Sequence, residues 1–113
     1  MSGLNRVGLY ALGLLVEEMG EALVVIGRAL RFGFDTPDGQ GRTPRDGLTH
    51  ELGDVRSATD YAVEAGLVSR GGVALQSDRK TRRLTDPKER DNLGRRLAPD
   101  PRSEEQPVSD SSR

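Results

Sequence analysis

Two stretches decide the fold: EEMGEALVVIGRALRFG (residues 17–33) and LTHELGDVRSATDYAVEAGLV (residues 48–68). Each repeats apolar residues at helical spacing and holds two acids three positions apart, Glu18-x-x-Glu21 in the first and Glu51-x-x-Asp54 in the second. A helix turns once every 3.6 residues, so the two acids of each pair share a face. The first face also carries Ala11, Leu14, Leu15, Ala22, Val25 and Ala29. The second carries Leu48, Leu52, Val55, Ala58 and Ala62. Both acid pairs are therefore expected to point at a core. Four carboxylates gathered away from water repel one another and lose hydration, so they need a partner. A bound cation is the usual one. Oxygen-only ligands select a hard ion, Mg²⁺ or Mn²⁺, with positions left for water and substrate phosphates.

The competing reading is a solvated helix face, because acids make up 18 of the 113 residues and spaced pairs on wet faces are common. Two matched pairs, each flanked by apolar residues on its own face, favour the metal. Glu17 is also one turn from Glu21, but its stripe runs through Gly13, Gly20, Val24 and Gly27. We take Glu18, Glu21, Glu51 and Asp54 as ligands and as the catalytic set, with Glu17 a helper or a surface residue.

These residues resemble the MazG-like family of all-α nucleoside triphosphate pyrophosphohydrolases. That family is marked by a Glu-x-x-Glu followed after a spacer by a Glu-x-x-Asp, the last acid lying in a run like Glu51-Leu52-Gly53-Asp54-Val55. The resemblance covers about residues 10 to 70. The spacer between Glu21 and Glu51 is 29 residues, long for the family, and a Gly- and Pro-containing loop absorbs the extra length. The resemblance implies a helical bundle, Mg²⁺-dependent hydrolysis between the α- and β-phosphates, and release of a nucleoside monophosphate and pyrophosphate.

Around the two decisive stretches, the pattern predicts a first helix from about Leu4 to Phe32, stopped by Gly33. Residues 33 to 43 (GFDTPDGQGRT) read as a loop. A second helix starts with Thr43 as N-cap and Pro44 at the first position and runs to about Ala65. After a Gly71-Gly72 break, a shorter element is expected over residues 73 to 84, and a weak helix over 86 to 97. One all-α domain is expected over residues 1–97. Residues 98–113, with Pro99, Pro101, Pro107 and four serines, read as a disordered polar tail.

Composition limits what this domain can be. Hydrophobic residues are 34% of the chain, with two Phe, two Tyr and no Trp. So few large apolar groups will struggle to fill a core alone, which points to a homodimer or homotetramer completing the fold. Gly13, Gly20 and Gly27 recur every seven residues. Each costs about 1 kcal/mol relative to Ala inside a helix, and the stripe fits either close approach of another helix or drift in a Gly-rich sequence. The net charge of −1 gives no global case for nucleic acid or an anionic membrane. Absence of Cys excludes disulfides and thiolate metal sites and fits a cytoplasmic location. Residues 1 to 9 lack a charged n-region leading into a long apolar block, so no signal peptide is evident, and the apolar run Leu9–Val16, broken by Gly13, is too short to span a bilayer.

Several cations are placed to meet a polyphosphate. Arg28 lies two turns beyond Glu21 on the same side, whereas Arg31 is rotated by about 60° from it. Residues 79–96 hold eight Lys or Arg against three acids, a local +5. The stretch fits phosphate neutralisation, a solvated face or a weak nucleic-acid contact, with no specific nucleic-acid binding expected. Without interleaved aromatics most of it reads as a solvated face, with Lys80 and Arg83 the candidates for substrate contact alongside Arg28. His50 is rotated by about 100° from Glu51 and reads as a surface residue. No P-loop sequence occurs, and no Ser, Cys or His arrangement supports covalent catalysis. Metal-assisted attack of water is the chemistry these residues permit. The rival is a non-catalytic helical binding module that retains the acidic motif.

Overall fold

A computed structural model describes residues 3–97. The expected tail over residues 98–113 lies outside them. The described residues form helices joined by turns, with no strand among them. They belong to two compact units, one reaching to residue 72 and one beginning at residue 73.

Helix α1 spans Arg6–Phe32. It starts two residues later than the periodicity predicts, because the Asn5 carboxamide accepts the Gly8 N–H at 2.7 Å and caps the first turn. It ends at Gly33, whose φ of 100° lies in the region that favours glycine, and whose N–H reaches the Ala29 carbonyl. Helix α2 spans Pro44–Glu64. Its start is the expected one: the Thr43 hydroxyl accepts the Asp46 N–H at 3.1 Å and Pro44 occupies the first turn.

The intervening loop is fastened to both helices. Asp38 accepts the N–H groups of Gln40 (2.8 Å) and Arg42 (3.0 Å), and it pairs with Arg28 of α1 at 3.4 Å. Asp35 takes two hydrogen bonds from the Arg45 guanidinium, at 2.7 and 2.9 Å. That guanidinium lies 4.5 Å from the centre of the Phe34 ring. The long spacer is therefore a built turn.

Helices α1 and α2 pack antiparallel. Tyr10 near the start of α1 meets Tyr61 near the end of α2 edge to face, with ring centres 5.7 Å apart. At the other end Gly47 faces Val25, and a Cβ at Gly47 would lie 3.4 Å from it. The core between them is made of small residues: Ala11, Ala22, Ala58 and Ala62 are buried. Small side chains let two helix backbones approach closely, and they bury little apolar area in doing so. Among the described residues no large side chain is fully buried. Leu52, expected on the inner face, is exposed.

The outer face of α1 stays apolar. Leu9, Val16, Leu23 and Leu30 recur every seven residues, with Leu12, Met19 and Ile26 between them. All seven are exposed, from 37% at Ile26 to 83% at Leu30. Nothing lies within 4 Å of a Cβ built at Gly13, Gly20 or Gly27. Packing among the described residues thus gives those glycines no reason to be small.

Helix α3 spans Arg70–Thr85 and helix α4 spans Pro87–Leu97. The Gly71-Gly72 pair does not precede α3, as the sequence predicts, but sits in its first turn. The Ser69 hydroxyl accepts the Gly72 N–H at 3.0 Å and offsets the poor helix propensity of the two glycines. In the second unit, α3 and α4 meet at Asp86, whose carboxylate accepts the Lys88 N–H at 2.9 Å and caps α4. Pro87 offers no N–H, so the helical ladder breaks there. Among the described residues no helix is long and apolar enough to cross a membrane.

Candidate metal centre

The antiparallel pairing sets the middle turn of α1 against the middle turn of α2. Glu18 and Glu21 come from the first and Glu51 and Asp54 from the second. One carboxylate oxygen from each of the four lies within 4.8 Å of all the others. Glu18, Glu51 and Asp54 are half-buried and Glu21 is exposed. The four sequence candidates for a ligand set therefore converge on one point. The helices can do this because Ala22 and Ala58 on the same faces keep the backbones close.

The electrostatics of the cluster are strained. Burial, followed by the charges of Glu21, Asp54, Glu51 and Glu17, raises the pKa of Glu18 from its ordinary value. The pKa of Glu51 is raised first by burial, then by a hydrogen bond with the Glu21 carboxyl and by the charges of Glu21 and Asp54, with His50 acting in the opposite sense. Moreover, Glu18 Oε2 and Glu51 Oε2 are buried without a hydrogen-bond partner among the described residues. Buried polar atoms are nearly always satisfied, so two orphaned anionic oxygens in one cluster need a group that accepts their electron density. All four donors are carboxylate oxygens, a set that suits a hard divalent cation and not ions that require thiolate or several imidazoles.

A hollow of about 280 Å³ opens beside the acids, lined by Leu14, Glu18, Asp54, Ser57, Ala58 and Tyr61. Ser57 and Tyr61 were not singled out from the sequence. They lie three and seven residues after Asp54, so helical spacing from the last acid carries the signal that finds them. Tyr61 is held by its edge contact with Tyr10, which gives the hollow an aromatic wall.

The remaining candidates lie as follows. Glu17 is exposed and does not join the four-acid cluster. His50 is a surface residue, as its rotation predicts, yet its Nε2 lies 3.2 Å from Asp54 Oδ2. It forms a second, overlapping group with Glu51 and Asp54. Arg28 is turned to the loop, where it pairs with Asp38 and lines a separate hollow with Phe32, Thr36, Pro37 and Pro44. Lys80 and Arg83 lie on α3 in the second unit, beside a small hollow shared with Leu84, Glu89 and Arg96.

Comparison of the chain with protein-family models, with curated proteins and with solved structures finds no match. The class is defined by the geometry alone: an antiparallel helical hairpin that gathers four carboxylates into an oxygen-only cluster beside an open hollow.

Proposed function

We propose that the protein is a Mg²⁺-dependent nucleoside triphosphate pyrophosphohydrolase whose centre is Glu18, Glu21, Glu51 and Asp54. The observation that carries this reading is the pair of orphaned oxygens, Glu18 Oε2 and Glu51 Oε2, inside a cluster of four acids. The order and spacing of the acids, and the Leu-Gly-Asp-Val run around Asp54, add the resemblance to MazG-like enzymes.

When bound, Mg²⁺ (or Mn²⁺) supplies charge neutralisation for the triphosphate and for the negative charge that develops as the phosphoanhydride opens. The chain's own residues do the rest. Glu18, Glu21, Glu51 and Asp54 would hold the ion and through it fix the position of the phosphates. Glu18 faces the hollow with a raised pKa, which suits a carboxylate that accepts a proton from water. The water oxygen bonds to the α-phosphorus, the bond from that phosphorus to the bridging oxygen breaks, and pyrophosphate leaves with the electron pair. Tyr61 and Ser57 line the space available to the nucleoside. Arg28, which pairs with Asp38 at 3.4 Å on an exposed edge of the same unit, is the cation proposed to meet phosphate oxygens.

Self-association belongs to the same reading. The seven apolar residues on the outer face of α1 occupy the a and d positions of three heptads and the first a position of a fourth, and Gly13, Gly20 and Gly27 lie on the adjoining e positions. No charged residue interrupts the seam, so a second copy can pack its own seam there without burying an ion. A homodimer, or a homotetramer of such pairs, would supply the core that alanines alone do not.

The test is pyrophosphate release from a panel of nucleoside triphosphates, with Mg²⁺ and with EDTA. Release that requires the metal supports the reading. A protein inert toward every nucleotide would leave the metal cluster in place and assign the function to the binding-module rival.

A further inference from the structure

The second unit carries its charge differently from the first. Residues 3–72 hold seven Lys or Arg against ten acids, a net −3, whereas residues 73–97 hold eight against four, a net +4. From Val73 to Thr85 every residue of α3 is exposed. Two cations are taken up within the helices, Arg82 by Asp78 at 3.1 Å and Arg95 by Asp91 at 2.8 Å. Arg79, Lys80, Arg83, Lys88, Arg90 and Arg96 form no ion pair among the described residues. Residues of both helices surround one hollow of about 440 Å³, lined by Arg83, Glu89, Asn92, Arg95 and Arg96. The smaller hollow that shares Arg83, Glu89 and Arg96 adds Lys80. Asp86, at the junction, directs its carboxylate at the backbone of α4, accepting the Lys88 N–H.

We infer that α3 and α4 form a docking surface for the phosphate backbone of duplex nucleic acid, bound without sequence preference. Charge complementarity supplies the attraction: unpaired cations crowded along polar helices repel one another, and phosphates relieve that repulsion while releasing counterions. A membrane surface is the poorer occupant, because an interfacial helix needs a continuous apolar face. On α3, Val73 and Leu75 are both exposed and project to opposite sides. Single strands are also disfavoured, since residues 73–97 contain no Phe, Tyr or Trp on which bases can stack. Phosphate contacts position a protein and carry no sequence information, which fits a surface whose charge is dominated by Arg and Lys. This binding is independent of the hydrolytic centre on α1 and α2.

The experiment is fluorescence anisotropy of the full chain with two unrelated DNA duplexes of about 20 base pairs, at about 50 and about 200 mM salt. Equal affinity for both duplexes is expected. If Lys80, Arg83 and Arg96 each contact a phosphate, affinity falls about 40-fold across that salt range. The triple variant Lys80→Gln, Arg83→Gln, Arg96→Gln should lower the salt slope by about one unit per lost cation. Circular dichroism of the variant checks that helix content is kept, and the wild-type salt slope stands whether or not it is. Absence of duplex binding at low salt overturns the proposal. So does unchanged binding by a well-folded triple variant, or capture by phosphatidylserine vesicles with none by the duplex.

Discussion

At the scale of single residues, the chemistry turns on four carboxylates that are uncomfortable without a cation. Glu18→Gln, Glu21→Gln, Glu51→Gln and Asp54→Asn each keep side-chain size and remove a charged ligand. Each should lower kcat by about 100-fold or more in a pyrophosphate-release assay, with helix content unchanged. Glu17→Gln should stay within a few-fold of wild type, because its carboxylate lies outside the cluster. The pH dependence has a definite sign. The pKa values of Glu18 and Glu51 are raised in the folded chain, so the native state binds protons there more readily than the unfolded chain does. Their contribution to stability is full below the ordinary glutamate pKa and is lost as pH rises through the raised values. Melting curves in EDTA should therefore show Glu51→Gln more stable than wild type at neutral pH, with the difference vanishing in acid. Asp35 and Asp38 behave oppositely. Hydrogen bonds from Arg45 and from the Arg42 and Gln40 backbone lower their pKa values. Their small, solvent-screened contributions are present above the ordinary aspartate pKa and fade as pH falls through the lowered values.

At the scale of elements, the acid pairs were legible because helical spacing alone puts them on common faces. The caps at Thr43, Pro44 and Gly33 were legible for the same local reason. Less was visible where tertiary or capping contacts decide the outcome. The Ser69 cap that absorbs Gly71 and Gly72 into α3 rests on one hydroxyl. Ser57 and Tyr61 become part of the site only once α1 lies against α2. The outer seam of α1 was half legible: the glycine stripe stands out in the sequence, but only burial shows that Leu9, Leu12, Val16, Met19, Leu23, Ile26 and Leu30 stay uncovered within the chain. Leu23→Glu would place a charge in the middle of that seam. Sedimentation should then show dissociation to monomer at concentrations where the wild type is associated, and Gly20→Leu should weaken assembly by crowding the helix approach. A wild type that sediments as a stable monomer would remove the seam from the account.

At the scale of the whole molecule, an alanine-lined hairpin is a thin core for its exposed apolar surface, and stability is expected to depend on what binds it. An ion that binds only the native state stabilises by mass action, by about 2.7 kcal/mol at a hundredfold excess over Kd. Millimolar Mg²⁺ or Mn²⁺ should accordingly raise Tm relative to EDTA, and Glu51→Gln should shrink the shift. The central claim is that Glu18, Glu21, Glu51 and Asp54 form one divalent-metal centre. Calorimetric titration of the wild type and of Asp54→Asn with Mn²⁺ tests it most directly. Saturable binding by the wild type that falls at least about tenfold in affinity in the variant is the predicted result. Binding that is absent from the wild type, or equally strong in the variant, would contradict it.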